Sequence, residues 1–585
     1  MAPTIEQIFD ELGGFHWFQL LMVLWVYSIK AIIAWSMMLM SFAGYESDSM
    51  CIVDRLVNQS AIHDMNESQI RQIAEEGTVD NETFLNVCEV NGTDCDDFYF
   101  FGVKRTVISE WNLVCDLQWM KAVITSIQFG GVLAGSVIGG QSGDYLGRKK
   151  TLYGSYLLHT VLNVISAYSI NWQMFAVMRF SIGIMIGVVL VMIVPYPTEF
   201  FPLRWRHSIP AIPMWPLGVL AFAGGAWLLE DWANLQLACA AAALPGLLGY
   251  FYIPESARWL ATRGRLEESH AVLAKMARVN GKKLPPTAME TIKEIAREEK
   301  ISRKGKDYSY FDIFRGRATA QLTLIVAFKW VVLSMVFYGL SFAVTSFAGD
   351  LYLNMFLMSI VELPAYLLTF LLIDRIGRRW TCLGFLAVTT LVSFACVGLH
   401  LKAPDDVKDR LISACCLTAK LAVAACWAAS QTWVTESYPT VTRSLGYGFA
   451  NTSSRVGAII APFVINLDQM PLFTFILMGT LTLASMILTC FIPETKDKVM
   501  AETVHRETHE GANEKSEPQT LPGRSVIPFA DTYKATSDSK MSTMNNFVGS
   551  WTDSTPLSNA MYNSQPYENG TQNQGYEDIC DVHEF

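Results

Sequence analysis

Five ionisable side chains interrupt long apolar runs in this chain. "SIKAIIAW" carries Lys30, "AFKWVVLS" Lys329, "VELPAY" Glu362, "TAKLAVAACW" Lys420 and "NTSSRVGA" Arg455. A charge deep in a membrane-spanning helix costs roughly 2.5–3.5 kcal/mol on insertion scales, so such residues face a cavity or a partner. Four are cations and one is an anion, a balance that favours a ligand bearing a carboxylate. Arg455 adds geometry: its planar fork matches a carboxylate two-pronged, which lysine cannot copy. Aromatic rings crowd the same stretches, with Trp330, Phe337 and Tyr338 after Lys329, Tyr366 after Glu362, and Trp427 and Trp433 after Lys420. Ring faces hold flat or cationic groups. The substrate-binding candidates are therefore Lys30, Lys329, Glu362, Arg455, Trp330, Phe337, Tyr338, Tyr366 and Trp427. The competing reading gives Lys30 and Lys329 to the membrane interface, Glu362 to a pair with a lysine or with Arg455, and the rings to packing.

A second constellation occurs twice. "GDYLGRKK" holds Asp144, Gly147 and Arg148, and "IDRIGRRW" holds Asp374, Gly377 and Arg378. "EFFPLRWR" places Glu199 and Arg206 at the spacing of Glu436 and Arg443 in "ESYPTVTR". "IPES", with Glu255 followed by Arg258, returns as "IPET". The three pairs share offsets of about 230–240 residues. That is the mark of two similar halves in the same orientation. Gly147 and Gly377 permit tight turns, and Gly140 is expected to let a neighbouring helix approach closely. The paired acids and arginines are expected to form a latch, closed in one state and separated in the other. Asp144, Arg148, Glu199, Arg206, Glu255, Arg258, Asp374, Arg378, Glu436 and Arg443 are the gating candidates.

The elements that position these residues are long apolar helices. The 585 residues are 51% hydrophobic and only 17% charged. A membrane-spanning helix needs roughly 20 mostly apolar residues. About twelve runs qualify, near 17–42, 121–141, 151–170, 172–195, 208–229, 233–253, 319–347, 351–373, 380–402, 410–435, 444–467 and 470–492. The predicted architecture is an all-α polytopic membrane protein of twelve transmembrane helices in two parallel six-helix halves. Its parts are an N-terminus (1–16), a first half (17–253) with a large loop (43–120), a connecting segment (254–318), a second half (319–492) and a disordered tail (493–585). "MAPTIEQIFDELGGF" lacks the basic start of a cleavable signal, so the first span is expected to stay as an anchor.

Charge orients the chain. Arg258 to Arg317 holds about fifteen Lys/Arg, which keeps that segment cytoplasmic and with it both termini. Within it, "RLEESHAVLAKMARVNGKK" and "TAMETIKEIAREEKISRK" have the spacing of short amphipathic helices. The large loop is then exoplasmic. It carries four N-x-S/T acceptors, at Asn58, Asn66, Asn81 and Asn91. It also carries Cys51, Cys88, Cys95 and Cys115, expected to form two disulfides in one of three pairings. Asn569 also fits the acceptor pattern but lies in the cytoplasmic tail and is expected to stay bare. A net charge of −10 excludes a nucleic-acid binder. The nine histidines are scattered and no H-E-x-x-H occurs, so we expect no catalytic or metal site, no cofactor and no enzyme. The partners expected are a small organic-ion substrate, the lipid bilayer and trafficking partners of the tail.

"SEWNLVCD", "VFYGLSFAVTSFAGDLYLN", "VELPAYLLTFLLIDRIGRRW", "ESYPTVTRSLG" and "IPESARWL" together resemble solute carrier family 22 of the major facilitator superfamily, over about residues 6–500. The related sugar porters share the short motifs but not the large glycosylated loop. The resemblance implies alternating-access transport of organic cations, organic anions or carnitine-like zwitterions at the plasma membrane. Cation members carry an aspartate where this chain has Arg455; anion and carnitine members resemble it. Anion members often have lysine where this chain has Tyr366, as carnitine-type members do. Glu362 matches an acidic position used with cations, and Lys329 replaces a usually neutral residue. The resemblance thus favours carboxylate-bearing zwitterions or organic anions, with organic cations second and a transport-inactive receptor or scaffold as the reading from another class.

Overall fold

The computed structural model describes residues 5–52, 65–76, 84–90, 93–95, 97–102, 104–206, 212–302, 313–314, 316–347, 349–438, 443–465 and 471–496. A long helix occupies each of the twelve predicted runs. We number them α1 (Trp17–Met38), α2 (Met120–Leu146), α3 (Arg148–Ala167), α4 (Trp172–Met192), α5 (Met214–Leu229), α6 (Trp232–Leu247), α7 (Arg317–Phe342), α8 (Leu351–Ile376), α9 (Arg378–Lys402), α10 (Asp405–Ser437), α11 (Arg443–Ile465) and α12 (Pro471–Thr489). Among the described residues, nine helices are long and apolar enough to cross a membrane; α3, α5 and α11 fall outside that set. Helix α5 is short at 16 residues. Helix α3 opens on Arg148, Lys149 and Lys150, and α11 contains Asn451, Ser453, Ser454 and Arg455. A helix this polar is tolerated in a bilayer when neighbours take up its polar side.

Helix boundaries follow local chemistry. Asn171, Asp231 and Asp350 each accept a backbone N–H of the first turn of α4, α6 and α8, at 2.8, 2.7 and 2.8 Å. Such caps satisfy donors that a helix start leaves unpaired. Helix α8 is interrupted at Val361, between Leu351–Ile360 and Glu362–Ile376. Pro364 explains the break, because it has no N–H to offer the carbonyl four residues earlier. The break sets Glu362 at the start of the second segment.

Close helix packing rests on glycine. Gly131, Gly135 and Gly139 of α2 lie against the backbone of α4, where Gly183 and Gly187 face back. A Cβ at Gly139 would sit 2.8 Å from the Val188 Cα. Gly140, the residue expected to serve this purpose, has open space around it. It lies one residue, about 100°, around the helix from Gly139, out of the four-residue stripe. Gly457 of α11 meets α7 in the same way.

The two halves meet through α2 with α11 and α5 with α8. Ser126 Oγ donates to the Ile459 carbonyl at 2.7 Å, and Ser41 Oγ to the Ser341 carbonyl at 3.3 Å. The large loop folds on itself. Strands β1 (Ser49–Ile52) and β4 (Asp97–Phe100) pair antiparallel, with Ser49 opposite Phe100, and β2 (Glu89–Val90) pairs with β3 (Thr93–Asp94). A small core of Met50, Ile52, Ile70, Phe84 and Phe101 fills it. Of the three possible cysteine pairings, the structure has Cys51–Cys95 and Cys88–Cys115. Asn66 is exposed, while Asn58, Asn81 and Asn91 lie outside the described residues, as does the tail beyond residue 496.

On the opposite side, the basic segment forms the two expected helices, Leu266–Val279 and Ala288–Ser302. They hold the start of the chain. The short helix Ile5–Glu11 packs on Ala288–Ser302, and Asn280 accepts from the Phe18 N–H at 2.9 Å while donating to the Leu12 carbonyl at 2.8 Å.

Candidate functional site: a charged, aromatic centre with two helix-end clusters

The central site is built where α7, α8, α10 and α11 converge. Lys420 of α10 reaches Glu362 of α8 at 3.0 Å, with both side chains almost wholly buried. The Lys420 ammonium also donates to Ser341 Oγ at 2.6 Å and to the Phe337 carbonyl at 3.2 Å. Glu362 is thereby neutralised by Lys420 and not by Arg455. The space beside this pair is about 20 Å³, lined by Met38, Ser41, Trp215, Ser341 and Met358 among others. That is room for about one water.

Arg455 is 6% exposed. It donates to Asn451 Oδ1 at 3.4 Å on its own helix and lies against the Tyr338 hydroxyl and near Tyr447. Among the described residues no carboxylate reaches it. Lys329, 1% exposed, rests on the Trp433 ring at 4.4 Å beside the Cys382 thiol. Lys30 lies over the Tyr27 ring at 5.3 Å. A sixth intramembrane charge, Arg179 of α4, was not among the sequence-predicted residues, although it stands alone in an apolar run. It is fully buried and donates to the Ser36 carbonyl at 2.6 Å and to Gln128.

The predicted rings come together. Trp330 lies 5.5 Å from Trp427 and 5.9 Å from Tyr447, Phe337 lies 5.7 Å from Trp427 and 5.3 Å from Tyr338, and Tyr338 packs on Phe129 of the other half at 4.8 Å. Tyr366 stands near Glu362 and Tyr338. Tyr27, Phe129 and Tyr447 complete the cluster. Phe129 and Tyr447 escape a reading that looks for rings next to span charges in sequence, because helix packing brings them there, whereas Tyr27 stands three residues before Lys30 and was open to that reading.

The repeated clauses form two matching clusters at the helix ends on the basic side. In the first half, Arg148 pairs with Asp144 at 2.6 Å and Glu199 at 3.1 Å. Glu255 accepts the Arg148 and Lys149 backbone N–H groups at 3.0 and 3.1 Å. In the second half, Arg378 pairs with Asp374 at 3.2 Å and Glu436 at 2.9 Å. Glu494 accepts the Arg378 and Arg379 N–H groups at 2.9 and 3.0 Å. Gly147 and Gly377 start α3 and α9 with φ of 103° and 108°. A side chain there would be strained and would also displace the capping carboxylate. Arg206 and Arg258 both bind Glu6 of the N-terminal helix, at 3.3 and 2.5 Å. Glu6 was not anticipated, since its partners lie 200 or more residues away. The Arg443 side chain lies outside the described residues.

Burial pushes the Glu255 carboxyl above its ordinary value; its backbone hydrogen bonds oppose this and Glu199 adds to it. Burial works the same way on Glu494, but there the N–H groups of Lys496, Arg378, Arg379 and Thr495 prevail and hold it below. In Glu6, burial is outweighed by the hydrogen bond and charge of Arg258, with Arg206 helping. Each of these clusters lies within one half, and no ion pair among the described residues joins the halves on this side. The halves are bonded instead toward the large loop, where Tyr352 also donates to Glu230 at 3.3 Å.

Helices of this arrangement, with charges buried between them and paired charge clusters at the helix ends, define a major facilitator transporter. Residues 84–506 match the family model "Sugar (and other) transporter". The chain is 32% identical to the "Organic cation transporter protein" of Drosophila melanogaster, covering 71% of this chain and 76% of that one. It is 30% identical to "Solute carrier family 22 member 21" of Mus musculus, over 68% and 71%. It is 30% identical to "Organic cation/carnitine transporter 2" of Homo sapiens, over the same shares. The inward-open xylose transporter XylE of E. coli superposes with a TM-score of 0.56 at 16% identity, over 82% of this chain and 98% of that one, a likeness of fold alone. The chain belongs to solute carrier family 22 of the major facilitator superfamily. It is a multi-pass membrane transporter and not an enzyme.

Proposed function

We propose that this transporter moves small organic ions bearing a carboxylate, either carnitine-like zwitterions or organic anions, across the plasma membrane by alternating access. One observation carries the reading. Of six charges within the spans, five are buried and Lys30 is half-buried; Glu362 is already matched by Lys420, while Lys30, Arg179, Lys329 and Arg455 have no carboxylate among the described residues. An anionic group entering this region offsets a field the protein leaves positive. Arg455 grips the carboxylate, with Lys329 and Lys30 adding charge. Trp330, Phe337, Tyr338, Tyr366 and Trp427 flank the body of the substrate, and a quaternary ammonium sits on their faces.

The helix-end clusters supply the latch. Asp144, Arg148, Glu199 and Glu255 in one half, and Asp374, Arg378 and Glu436 in the other, are internally satisfied when that side is open. They exchange partners across the halves when it closes, together with Arg443. Arg206 and Arg258 hold the N-terminal helix. The basic side faces the cytoplasm with both termini, and the disulfide-bonded loop lies outside, where Asn58, Asn66, Asn81 and Asn91 accept glycans.

Uptake into proteoliposomes of radiolabelled carnitine-like zwitterions, dicarboxylates and quaternary amines tests the substrate class. Carboxylate-bearing compounds should accumulate. Accumulation of quaternary amines alone would establish the organic-cation reading instead, and accumulation of none would remove transport. For sidedness, glycosidase treatment of protein from animal cells should increase gel mobility, and the four-site Asn→Gln variant should show no shift. A wild type whose mobility does not change would contradict an outside loop.

A further inference from the structure

A second cavity, of about 400 Å³, opens on the basic side where the start of α3, the end of α6 and the helix Leu266–Val279 meet. Lys149, Lys150 and Lys275 line it together with Tyr250, Glu255 and Glu268. Its acids are already committed. Glu255 takes the backbone N–H groups of Arg148, Lys149 and Ser256, and Glu268 takes the Arg265 fork at 2.7 and 2.5 Å. None of the three lysines makes a direct ion pair with a carboxylate among the described residues. Lys149 lies over the Tyr250 ring at 4.3 Å, and Lys275 donates to the Tyr252 carbonyl at 2.7 Å. The Lys149 ammonium is near enough to Glu255 to be attracted and to Lys275 to be repelled.

The rim of this cavity is the end of a membrane span. Trp232–Tyr252 is a span by length and hydropathy. Its last three residues, Tyr250, Phe251 and Tyr252, are 40, 76 and 66% exposed. Exposed aromatics at a span end sit at the headgroup level of a bilayer. A ligand that matches both features has several negative charges on phosphate and acyl chains beside the aromatic rim. We propose that this cavity binds the headgroup of a multiply charged anionic phospholipid, with Lys149, Lys150 and Lys275 on its phosphates and its chains against Tyr250, Phe251 and Tyr252. Lysines at a membrane surface attract such headgroups, and their effects add. The site is separate from the central charged cluster and does not depend on the substrate class.

The test is native mass spectrometry of the full-length protein in detergent, titrated with dioctanoyl phosphatidylinositol bisphosphate, dioctanoyl phosphatidylcholine and soluble inositol trisphosphate. The bisphosphate lipid should bind the wild type in preference to the other two. Lys149→Gln/Lys275→Gln should bind it about thirtyfold more weakly. Lys150→Gln/Lys275→Gln, whose two positions are exposed and tolerant of change, should weaken it similarly, and Lys275→Arg should keep it. Equal binding by wild type and both double variants would overturn the site. Soluble inositol trisphosphate binding as well as the lipid would overturn the lipid as occupant, and so would binding of phosphatidylcholine as tight as that of the bisphosphate.

Discussion

Arg455 shows how much a single residue discloses and where disclosure stops. That it is a cation inside a span is legible from "NTSSRVGA", and the cost of burying it predicts a partner. Which partner is not legible. Glu362 was the obvious anion, yet it belongs to Lys420, 58 residues along the chain and brought near only by the packing of α8 on α10. Local spacing carries information over about one helical turn, whereas a buried ion pair depends on the packing of distant elements. The pair makes its own prediction. Glu362→Gln or Lys420→Met alone leaves a buried charge uncompensated and should destabilise the protein by about 3–5 kcal/mol, whereas the double variant should recover most of that loss. Thermal unfolding in detergent measures it. Losses that simply add would show that the two residues do not depend on each other.

At the scale of elements, the repeated motifs were readable because each is short and contiguous. Their shared offset announced two similar halves, and Gly147 and Gly377 take the conformation that their place before Arg-Lys and Arg-Arg implies. The glycine stripe of α2 was also present in the spacing of Gly131, Gly135 and Gly139, but Gly140 looks equivalent until the helix is turned. The capping carboxylates separate the halves. Glu494 is held below its ordinary value of 4.5, so its contribution to stability is complete above that pH and is lost as pH falls through the lowered value. Glu255 is raised above 4.5, so its contribution has the opposite sign: complete below 4.5 and lost as pH rises through the raised value. At neutral pH, Glu494→Gln should therefore cost more stability than Glu255→Gln, by about 0.3–1 kcal/mol, the worth of an anion at a helix start. Chemical unfolding at pH 7 and again at pH 4 tests this, with the gap narrowing at the lower pH. A larger loss for Glu255→Gln at pH 7 would contradict the assignment.

For the whole molecule, the structure is closed toward the large loop, and its basic-side clusters are each satisfied within one half. Composition foretold the bundle, because runs of roughly 20 apolar residues have few other fates. It could not foretell the state, because the halves differ in packing and not in sequence between states. If alternating access operates, joining the halves where they already touch should stop the cycle. A short thiol cross-linker between Ser126→Cys and Ile459→Cys, whose parent residues share a 2.7 Å hydrogen bond, should abolish uptake, and reduction should restore it. Full uptake in the cross-linked protein would exclude this motion. The central claim, that a buried positive field selects a carboxylate, is tested most directly through Arg455. Uptake of a carnitine-like zwitterion and of a quaternary amine lacking the carboxylate is compared in wild type, Arg455→Lys and Arg455→Ala proteoliposomes. The account predicts a raised KM for the zwitterion in Arg455→Lys and a loss of about 2–5 kcal/mol of its binding in Arg455→Ala, with the amine little affected. An unchanged preference between the two compounds in Arg455→Ala would contradict it.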